Sequence, residues 1–375
     1  MITVICDCNY IFHKTFGIFS GFGVKSPGDA LSSEKDRNLF MRKIITDLCY
    51  SLNQIPDINR IIFCKDSRSW RKDYKISRSV YKESRVKGEG VDWGSFFKLM
   101  DEFGLYLEKN GYTYSTFKGA EGDDLIWAWC DRLKDEDDCI LVISGDKDMH
   151  QLVRYNNEKW TGVWNTNSKN NRIIVSDNWE KEKDQEPSIF EVTPTSGSSD
   201  HKLDKLLASC SLEKINAKEL IFKKILTGDK KDDVPGVFPF LKGEKVYNVS
   251  EGKAQKMWEL YMESPWEKLS MEEIWKDAEF LSWLSGLCLR ILGQTDNNEN
   301  RDKFKQYYDE NAKLVWLNDV TIPEDILDGI RTHVIELDEK ERTSPLINKK
   351  LLIDNSPWGG PVGPPSNFDP FDLFA

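Results

Sequence analysis

Three short apolar segments that end in aspartate constrain the fold of this chain more than any other feature. They are ITVICD at 2–7, RIIFCKD at 60–66 and ILVISGDKD at 140–148. Continuous apolar runs without polar alternation are typical of strands that are buried on both faces, as in a parallel sheet. Helical patterns lie between them, at 37–52, 93–111 and 121–136. The sequence therefore predicts an α/β fold with a mostly parallel central sheet and flanking helices.

The rest of the chain divides into a hairpin, a polar segment, a helical region and a tail. Residues 159–177 predict a hairpin around an Asn/Ser turn, and the polar residues 178–205 predict a mobile loop. Five helical patterns follow, at 206–227, 252–263, 271–292, 301–313 and 323–335. We therefore expect an α/β core at 1–205, a helical domain at 206–340 and a disordered tail at 341–375, whose end is rich in Gly and Pro.

Composition limits the kinds of protein that this chain can be. Its apolar runs are far shorter than the ~18 residues that a membrane span needs, and MITVICDCNYIF lacks the basic start and cleavage site of a signal peptide. The eight cysteines lie mostly in apolar stretches without a C-x-x-C pair, and four histidines are present. This pattern argues against a zinc site and a disulfide framework. We expect a soluble, cytoplasmic monomer with reduced thiols and no membrane partner, in the host cytoplasm if a phage encodes it.

Acidic residues recur where the predicted strands and helices end or begin. They are Asp7; Asp66; Glu121, Asp123 and Asp124; Asp146 and Asp148; and Asp229, Asp232 and Asp233. Taken singly, acids at 121–124 can simply stabilise a helix N-terminus, and 226–236 can be a solvated loop. Together they predict a site for Mg²⁺ or Mn²⁺, because hard cations take oxygen ligands and ligands lie beyond the carboxyl ends of parallel strands.

Three motifs carry a resemblance to a known family. AEGDDLIWAW at 120–129, ISGDKDMHQL at 143–152 and GDKKDDVPGV at 228–237 resemble, in order, three elements of the flap endonuclease / 5′-nuclease superfamily. Within it, SWRKDYK at 69–75, VDWGSFF at 91–97 and VWLNDVTIPEDILDGI at 315–330 are most similar to the phage T4-type ribonuclease H. The resemblance implies a PIN/FEN-like nuclease core, with a helix–hairpin–helix-like element in the helical domain. Gly122 stands where the family has Ala.

The resemblance also implies one cluster that holds two Mg²⁺ ions, for which Mn²⁺ can substitute. Its ligands would be Asp7, Asp66, Glu121, Asp123, Asp124, Asp146, Asp148, Asp229 and Asp232. Asp66, Glu121, Asp123 and Asp146 would lie nearest the first ion, and Asp148, Asp229 and Asp232 would face the second. Two ions roughly 3.5–4 Å apart can stabilise both the attacking and the leaving oxygen of a displacement at phosphorus.

A basic stretch follows Asp66 although the net charge of the chain is −11. Residues 65–87 hold nine basic and three acidic residues, interleaved with Trp70, Tyr74 and Tyr81. Basic and aromatic residues together suit a single-stranded nucleic acid, although a solvated helix face is the alternative. The resemblance makes 66–90 an arch or bridge, with Arg71, Lys82 and Arg85 at the scissile phosphate beside the catalytic Asp7 and Asp66. The nucleic-acid contacts would be Arg68, Trp70, Arg71, Lys72, Lys82, Arg85 and Lys87, with Gly236, Gly243 and Lys245 from the hairpin element.

The implied activity is that of a Mg²⁺-dependent 5′→3′ exonuclease and flap endonuclease of ribonuclease H type. Its substrates would be 5′ flaps, forked DNA and RNA–DNA hybrids, and it would remove RNA primers during phage-type replication. A PIN-type endoribonuclease and a non-catalytic DNA-structure-binding protein are the alternatives. In the tail, Phe368, Phe371, Leu373 and Phe374 lie among aspartates and predict docking to a sliding clamp or a single-stranded DNA-binding protein. An inert terminus is the alternative there.

Overall fold

A computed structural model describes most of the 375-residue chain. The described residues are 2–21, 31–55, 58–84, 91–167, 171–179, 206–207, 210–238, 240–242, 245–247, 249–342 and 356–360. The chain divides into two compact units. The sheet unit comprises Met1–Ser67, Val86–Ile215 and Gly329–Ala375, and the helical unit comprises Arg68–Arg85 and Asn216–Asp328.

One eight-stranded sheet organises the sheet unit. Its strands are β1 (Ile2–Asp7), β2 (Ile58–Cys64), β3 (Thr113–Ser115), β4 (Cys139–Ile143), β5 (Arg154–Asn156), β6 (Lys159–Asn165), β7 (Arg172–Ser176) and β8 (Ser211–Ile215). The order is β3-β2-β1-β4-β6-β7-β8, with β5 paired to β6. All neighbours are parallel except β6–β7 and β5–β6. The predicted mostly parallel α/β fold is confirmed, and so is the hairpin, formed by β6 and β7.

Four helices precede or connect the central strands. They are α1 (Cys8–Gly21), α2 (Glu34–Gln54), α3 (Trp93–Lys109) and α4 (Gly122–Leu133). Polar caps begin two of them: the Ser33 hydroxyl accepts from the Asp36 N–H at α2, and the Asp92 carboxylate accepts from the Ser95 N–H at α3.

An aromatic cluster packs α1, α2 and α3 against one face of the sheet. The Phe12 ring lies 5.8 Å from Phe40, 5.9 Å from Phe96 and 5.5 Å from Phe103. All four side chains are buried. Burying one such ring contributes about 1.5–3 kcal/mol, so this cluster fixes α1, which begins directly after Asp7, onto the sheet.

The helical unit consists of helices with one small hairpin between the first two. Its elements are α5 (Ala217–Thr227), β9 (Phe240–Lys242), β10 (Lys245–Tyr247), α6 (Glu251–Met262), α7 (Met271–Ile274), α8 (Ala278–Leu292) and α9 (Asn298–Val315). The antiparallel β9–β10 pair between α5 and α6 gives the predicted helix–hairpin–helix order. A last helix, α10 (Glu324–Arg342), is counted with the sheet unit from Gly329 onward. No described helix is long and apolar enough to cross a membrane.

Some predicted elements differ from those observed. The predicted helix at 206–227 is wrong over 211–215, because these residues form β8 and gain backbone hydrogen bonds from β7, which local propensity does not reveal. The predicted helix at 271–292 is two helices, since the Asp277 carboxylate accepts from the Phe280 N–H and starts α8 afresh. The helix α1 was not predicted.

The two units also divide the chain at other places than the predicted domains. Residues 68–84 of the predicted arch group with the helical unit, whereas β8 and the chain from Gly329 group with the sheet unit. Residues 180–205 of the predicted loop and 361–375 of the predicted tail lie outside the described residues, and so do Phe368, Phe371, Leu373 and Phe374.

Candidate metal centre

Three central strands end at the same edge of the sheet and bring their acids there. In the register, Asp7 at the end of β1 lies beside Cys64 of β2, and Cys6 lies beside Ile143 of β4. Asp66 and Asp146 follow these strand ends within three residues. Parallel pairing therefore brings together acids that are far apart in sequence, as the sequence analysis predicted.

Asp7 is held by two hydrogen bonds from neighbouring elements. Its carboxylate accepts from the Tyr10 N–H at 3.0 Å and from the Ser144 hydroxyl at 2.7 Å. The same Ser144 oxygen accepts from the Asp146 N–H at 3.1 Å. A hydroxyl both donates and accepts, so the buried Ser144 connects the acid of β1 to the acid that follows β4.

Asp66 faces the start of α4. Its Oδ1 accepts from the Gly122 N–H at 2.5 Å, at the first residue of that helix. A Cβ on Gly122 would lie 2.8 Å from the same oxygen, so the glycine permits this approach. The positive end of the helix dipole stabilises a carboxylate in this position. A glycine at position 122 thus has a local reason.

Glu121 and Asp124 form the capping box of α4. The Asp124 carboxylate accepts from the Glu121 N–H at 3.1 Å, and the Glu121 side chain accepts in return from the backbone at Asp124. Asp124 is fully buried. One of its oxygens therefore serves the helix start, and its predicted role as a metal ligand stays a prediction.

Neighbouring acids at this edge raise the pKa values of Asp7 and Asp123. Burial raises the pKa of Asp123 well above its ordinary value, and the charges of Asp146, Asp66, Asp7 and Glu121 raise it further. Burial, with the charges of Asp66 and Asp146, also raises the pKa of Asp7 to about 7, against the hydrogen bonds from Tyr10 and Ser144. Such a group of carboxylates cannot all ionise at neutral pH without positive charge among them.

The chemistry of these five side chains fits a hard divalent cation. All the donors are oxygens, and the neighbouring Cys6 and Cys8 thiols have pKa values raised by burial, which keeps them from being thiolate ligands. Among the described residues, no three His, Cys, Asp or Glu side chains already stand in ligand geometry. Mg²⁺ takes few carboxylates and retains several waters, so Asp7, Asp66, Glu121, Asp123 and Asp146 would hold it with water completing its shell.

The remaining predicted ligands have other contacts. The Asp148 N–H donates to Asp146 Oδ1 at 2.9 Å and shapes the turn after β4. In the helical unit, Asp229 lies 3.1 Å from the Lys224 ammonium and accepts from the Lys231 N–H at 2.8 Å. Asp229 and Asp232 are described within that unit alone, and their role as ligands stays a prediction.

Asp232 and Asp233 bind the segment 79–84 inside the helical unit. The Tyr81 hydroxyl donates to Asp232 at 3.0 Å, and the Lys82 ammonium lies 3.8 Å from the same carboxylate. The Asp233 carboxylate accepts from the Ser84 N–H at 2.7 Å and from its hydroxyl at 2.6 Å. Both Lys82 and Asp233 have positive φ, at 57° and 58°. Sequence reasoning missed these contacts, because nothing in either segment names its partner.

The predicted nucleic-acid contacts vary in exposure. Arg68 and Lys72 are exposed, and Arg68 pairs with Asp73 at 2.7 Å. Trp70 and Arg71 are 7% and 1% exposed, with the guanidinium 4.7 Å from the ring centroid. Both side chains are packed away from solvent in this structure, and their predicted contacts with nucleic acid stay predictions.

The other predicted contacts are described only in part. Gly236 is buried, where a Cβ would lie 3.1 Å from the Val249 nitrogen, so it serves close backbone packing. Only the backbone of Lys245 is described, in β10. Arg85, Lys87 and Gly243 lie outside the described residues.

Comparisons with known proteins give likenesses in solved structures only. No family model matches the chain, and no curated protein does. It is similar to the bacteriophage T5 D15 protein crystallised with metal ions, at 14% identity and a TM-score of 0.49 over 90% of this chain and 99% of that one. The D15 flap endonuclease of the same phage in a complex with DNA and metal ions gives 14% and 0.49, over 90% and 100%. The T5 5′-exonuclease with zinc gives 14% and 0.49, over 90% and 99%.

The predicted superfamily resemblance stays a prediction. A particular closeness to the phage T4-type ribonuclease H stays a prediction. With so few identical residues, the roles of individual side chains depend on the contacts of this chain alone.

Proposed function

We propose that this chain is a Mg²⁺-dependent 5′-nuclease that hydrolyses phosphodiesters of nucleic acids. The observation that supports this most is the group of five electrostatically linked carboxylates beyond the ends of β1, β2 and β4. A set of oxygen donors crowded to this degree needs cationic charge, and divalent cations bring phosphodiesters into such sites.

The residues of the sheet unit have distinct roles in this proposal. Asp7, Asp66, Glu121, Asp123 and Asp146 hold the cations, which when bound polarise a phosphodiester and stabilise the charge that develops during hydrolysis. Ser144 fixes Asp7 by donating to its Oδ2, and α4 fixes Asp66 by its first N–H. With a pKa near 7, Asp7 is only partly ionised at neutral pH, and cationic charge in the site would favour its ionised form. Asp124, Asp148, Asp229 and Asp232 are proposed as further ligands, some of them through water.

The proposed substrates are 5′ flaps, forked DNA and RNA–DNA hybrids, with removal of RNA primers during phage-type replication. The exposed Arg68 and Lys72 support nucleic-acid binding. Lys82 and Arg85 are proposed to contact the scissile phosphate, and Lys82 would then exchange its present partner Asp232 for the substrate. Lys87 is proposed as a further nucleic-acid contact of the basic stretch, and Gly243 and Lys245 as duplex contacts. The acidic and aromatic C-terminal residues are proposed to dock on a sliding clamp or a single-stranded DNA-binding protein, with the nuclease itself monomeric.

The test uses a forked duplex with a labelled 5′ flap that begins in RNA. Purified protein should release short 5′ products with Mg²⁺, should do so with Mn²⁺, and should release none in chelator. Product mapping separates exonuclease from flap cleavage. The variant Asp131→Asn should cleave as the wild type does, because Asp131 lies on α4 but pairs with Lys134. Cleavage of single-stranded RNA alone would favour the PIN-type endoribonuclease, and tight binding without cleavage would favour the non-catalytic binder.

A further inference from the structure

The side chain of Tyr10 lies among the loops that carry the acids. Its backbone N–H donates to Asp7, as described above, and its ring packs directly over Gly145. A Cβ on Gly145 would lie 2.3 Å from Cε2 of this ring. Its hydroxyl donates to the Asn165 side chain at 3.1 Å, at the end of β6. One residue therefore contacts the chain after β1, the turn after β4 and the end of β6.

A second residue on α1 fastens the end of β6. Lys14, one turn after Tyr10, donates to both the carbonyl and the hydroxyl of Thr166 at 2.8 Å. β6 in turn pairs with β4, and the Ser144 N–H donates to the Trp164 carbonyl at 3.2 Å. The turn that carries Asp146 thus contacts the Tyr10 ring at Gly145 and pairs with β6 at Ser144, while α1 contacts the end of β6 through Tyr10 and Lys14.

The contacts of Tyr10 are more specific than packing requires. An aliphatic side chain would fill the space over Gly145, but it could not reach the Asn165 amide. The hydroxyl contact fixes the ring in the direction along the sheet edge, and the ring limits where residues 144–146 can move. The affinity of a site for a metal depends on how well neighbouring residues fix its ligands. The contacts of Tyr10 should therefore affect how well Asp7 and Asp146 can hold a cation.

We propose that Tyr10 is a positioning residue that sets the separation of Asp7 and Asp146 and thereby the divalent-cation affinity of the site. This inference rests on the proposed function only in taking these two acids as ligands. Tyr10 does not touch the cation or the substrate. Lys14 supports this role of Tyr10 by binding Thr166, the neighbour of Asn165, which accepts the hydrogen bond from the Tyr10 hydroxyl.

The experiment measures Mn²⁺ affinity by electron paramagnetic resonance of the free ion, for three variants of the full chain. Tyr10→Leu should weaken binding about 10-fold, at the low end of the range for groups that orient ligands. Tyr10→Phe, which loses only the hydroxyl contact, should weaken it by less, about threefold. Tyr50→Phe is the matched control, because Tyr50 is 64% exposed on α2. Thermal unfolding in chelator reports separately on the fold.

Cleavage gives a second readout. The Mg²⁺ concentration for half-maximal cleavage should rise with the loss of Mn²⁺ affinity, while kcat at saturating Mg²⁺ should change about twofold or less. A purely structural role would instead lower the unfolding temperature in chelator and leave metal affinity unchanged, which would overturn the inference. If Tyr10→Leu does not fold, wild-type affinity in Tyr10→Phe would overturn it.

The outcomes distinguish this inference from the proposed function. A wild-type protein that binds Mn²⁺ and cleaves, with Tyr10 variants of equal affinity, overturns the inference alone. A wild-type protein that binds Mn²⁺ but cleaves nothing, with weaker Tyr10 variants, overturns the nuclease and supports the positioning role. A wild-type protein without Mn²⁺ affinity overturns both.

Discussion

The acids of the two units look alike in sequence but differ in their electrostatic surroundings. In the sheet unit, no described Lys or Arg lies within ion-pair distance of Asp7, Asp123 or Asp146, and the pKa values of Asp7 and Asp123 are raised. In the helical unit, Asp229 has the Lys224 ammonium as a partner, and its pKa is lowered although burial works to raise it. Burial and neighbouring charges thus disfavour the ionised forms of Asp7 and Asp123, whereas Asp229 is partly neutralised by a lysine of the chain itself.

This contrast bears on how an acidic motif is interpreted. S-G-D-K-D and G-D-K-K-D-D are both rich in acids and both contain lysine. What separates them is the Lys224 ammonium, which lies outside the second motif and pairs with Asp229, a partner that the motif spacing does not reveal. The Asp232 carboxylate accepts a hydrogen bond from the Tyr81 hydroxyl and lies near the Lys82 ammonium. It therefore also fixes the segment 79–84.

The largest expected effect is on cleavage by Asp146→Asn. The change removes one charge from the sheet-unit group while keeping the shape, so hydrolysis should fall by about 10³-fold or more with the fold retained. Single-turnover cleavage with circular dichroism measures both. Asp229→Asn is the comparison, and it should reduce cleavage far less, because Lys224 already offsets that charge. An equal loss of cleavage in the two variants would contradict this contrast and would make Asp229 as important a ligand as Asp146.

The next effect concerns nucleic-acid binding through the helical unit. Lys82→Ala should weaken binding to a forked duplex about fivefold and reduce the slope of log affinity against log salt by about 1, because one fewer counterion is released. Fluorescence anisotropy at several salt concentrations measures this. Lys256→Ala, an exposed position on α6, is the control. An unchanged slope would mean that Lys82 serves only Asp232.

A third effect separates the two groups of acids by stability. Saturating Mg²⁺ or Mn²⁺ should raise the unfolding temperature, since binding at 100 times Kd contributes about 2.7 kcal/mol. Asp123→Asn should raise the unfolding temperature in chelator, because it removes the cost of burying a carboxyl whose ionised form is disfavoured there, and should reduce the response to the cation. Asp229→Asn should instead lower it in chelator through loss of the Lys224 pair. In thermal scans in chelator, the unfolding temperature should therefore rise for Asp123→Asn and fall for Asp229→Asn.

The fold and the place of the site could be predicted from sequence because both depend on local pattern. Apolar runs predicted a parallel sheet, and a parallel sheet brings Asp7, Asp66 and Asp146 to one edge whatever lies between them. The strand β8 could not be predicted, because its hydrogen bonds come from β7 and not from its own residues.

Side-chain partners across the fold were equally hidden. Basic and aromatic residues at 68–87 predicted nucleic-acid contacts, but not the burial of Trp70 and Arg71, since tertiary packing and not composition decides exposure. Ser144 lies within the S-G-D motif and could have been suspected. Tyr10 gave no signal, because a tyrosine on a helix after a strand is ordinary until the fold places Gly145 under its ring.

The smallest expected effect concerns Glu341, an acid near the cationic side chain of Arg60. Glu341 belongs to neither of the two groups of acids compared above. Burial raises the pKa of Glu341, on α10, to about 7, with Asp338 and Asp137 raising it and Arg60 and Thr113 lowering it. Because the folded pKa lies above the ordinary value of 4.5, the folded state binds more protons, and the stability from protonated Glu341 is complete below about pH 4.5 and lost as pH rises through about 7.

Glu341→Gln removes this dependence. In chelator, the variant should unfold at a temperature close to that of the wild type at pH 5 and one to a few degrees higher at pH 8, an effect of about 1 kcal/mol once partial exposure is allowed for. Glu339→Gln on the exposed side of the same helix is the matched control and should show no such difference. If the unfolding temperature of Glu341→Gln instead exceeds that of the wild type at pH 5 and not at pH 8, Arg60 would determine the charge of Glu341. A neighbouring cationic side chain would then decide the charge of a buried acid even where burial opposes it.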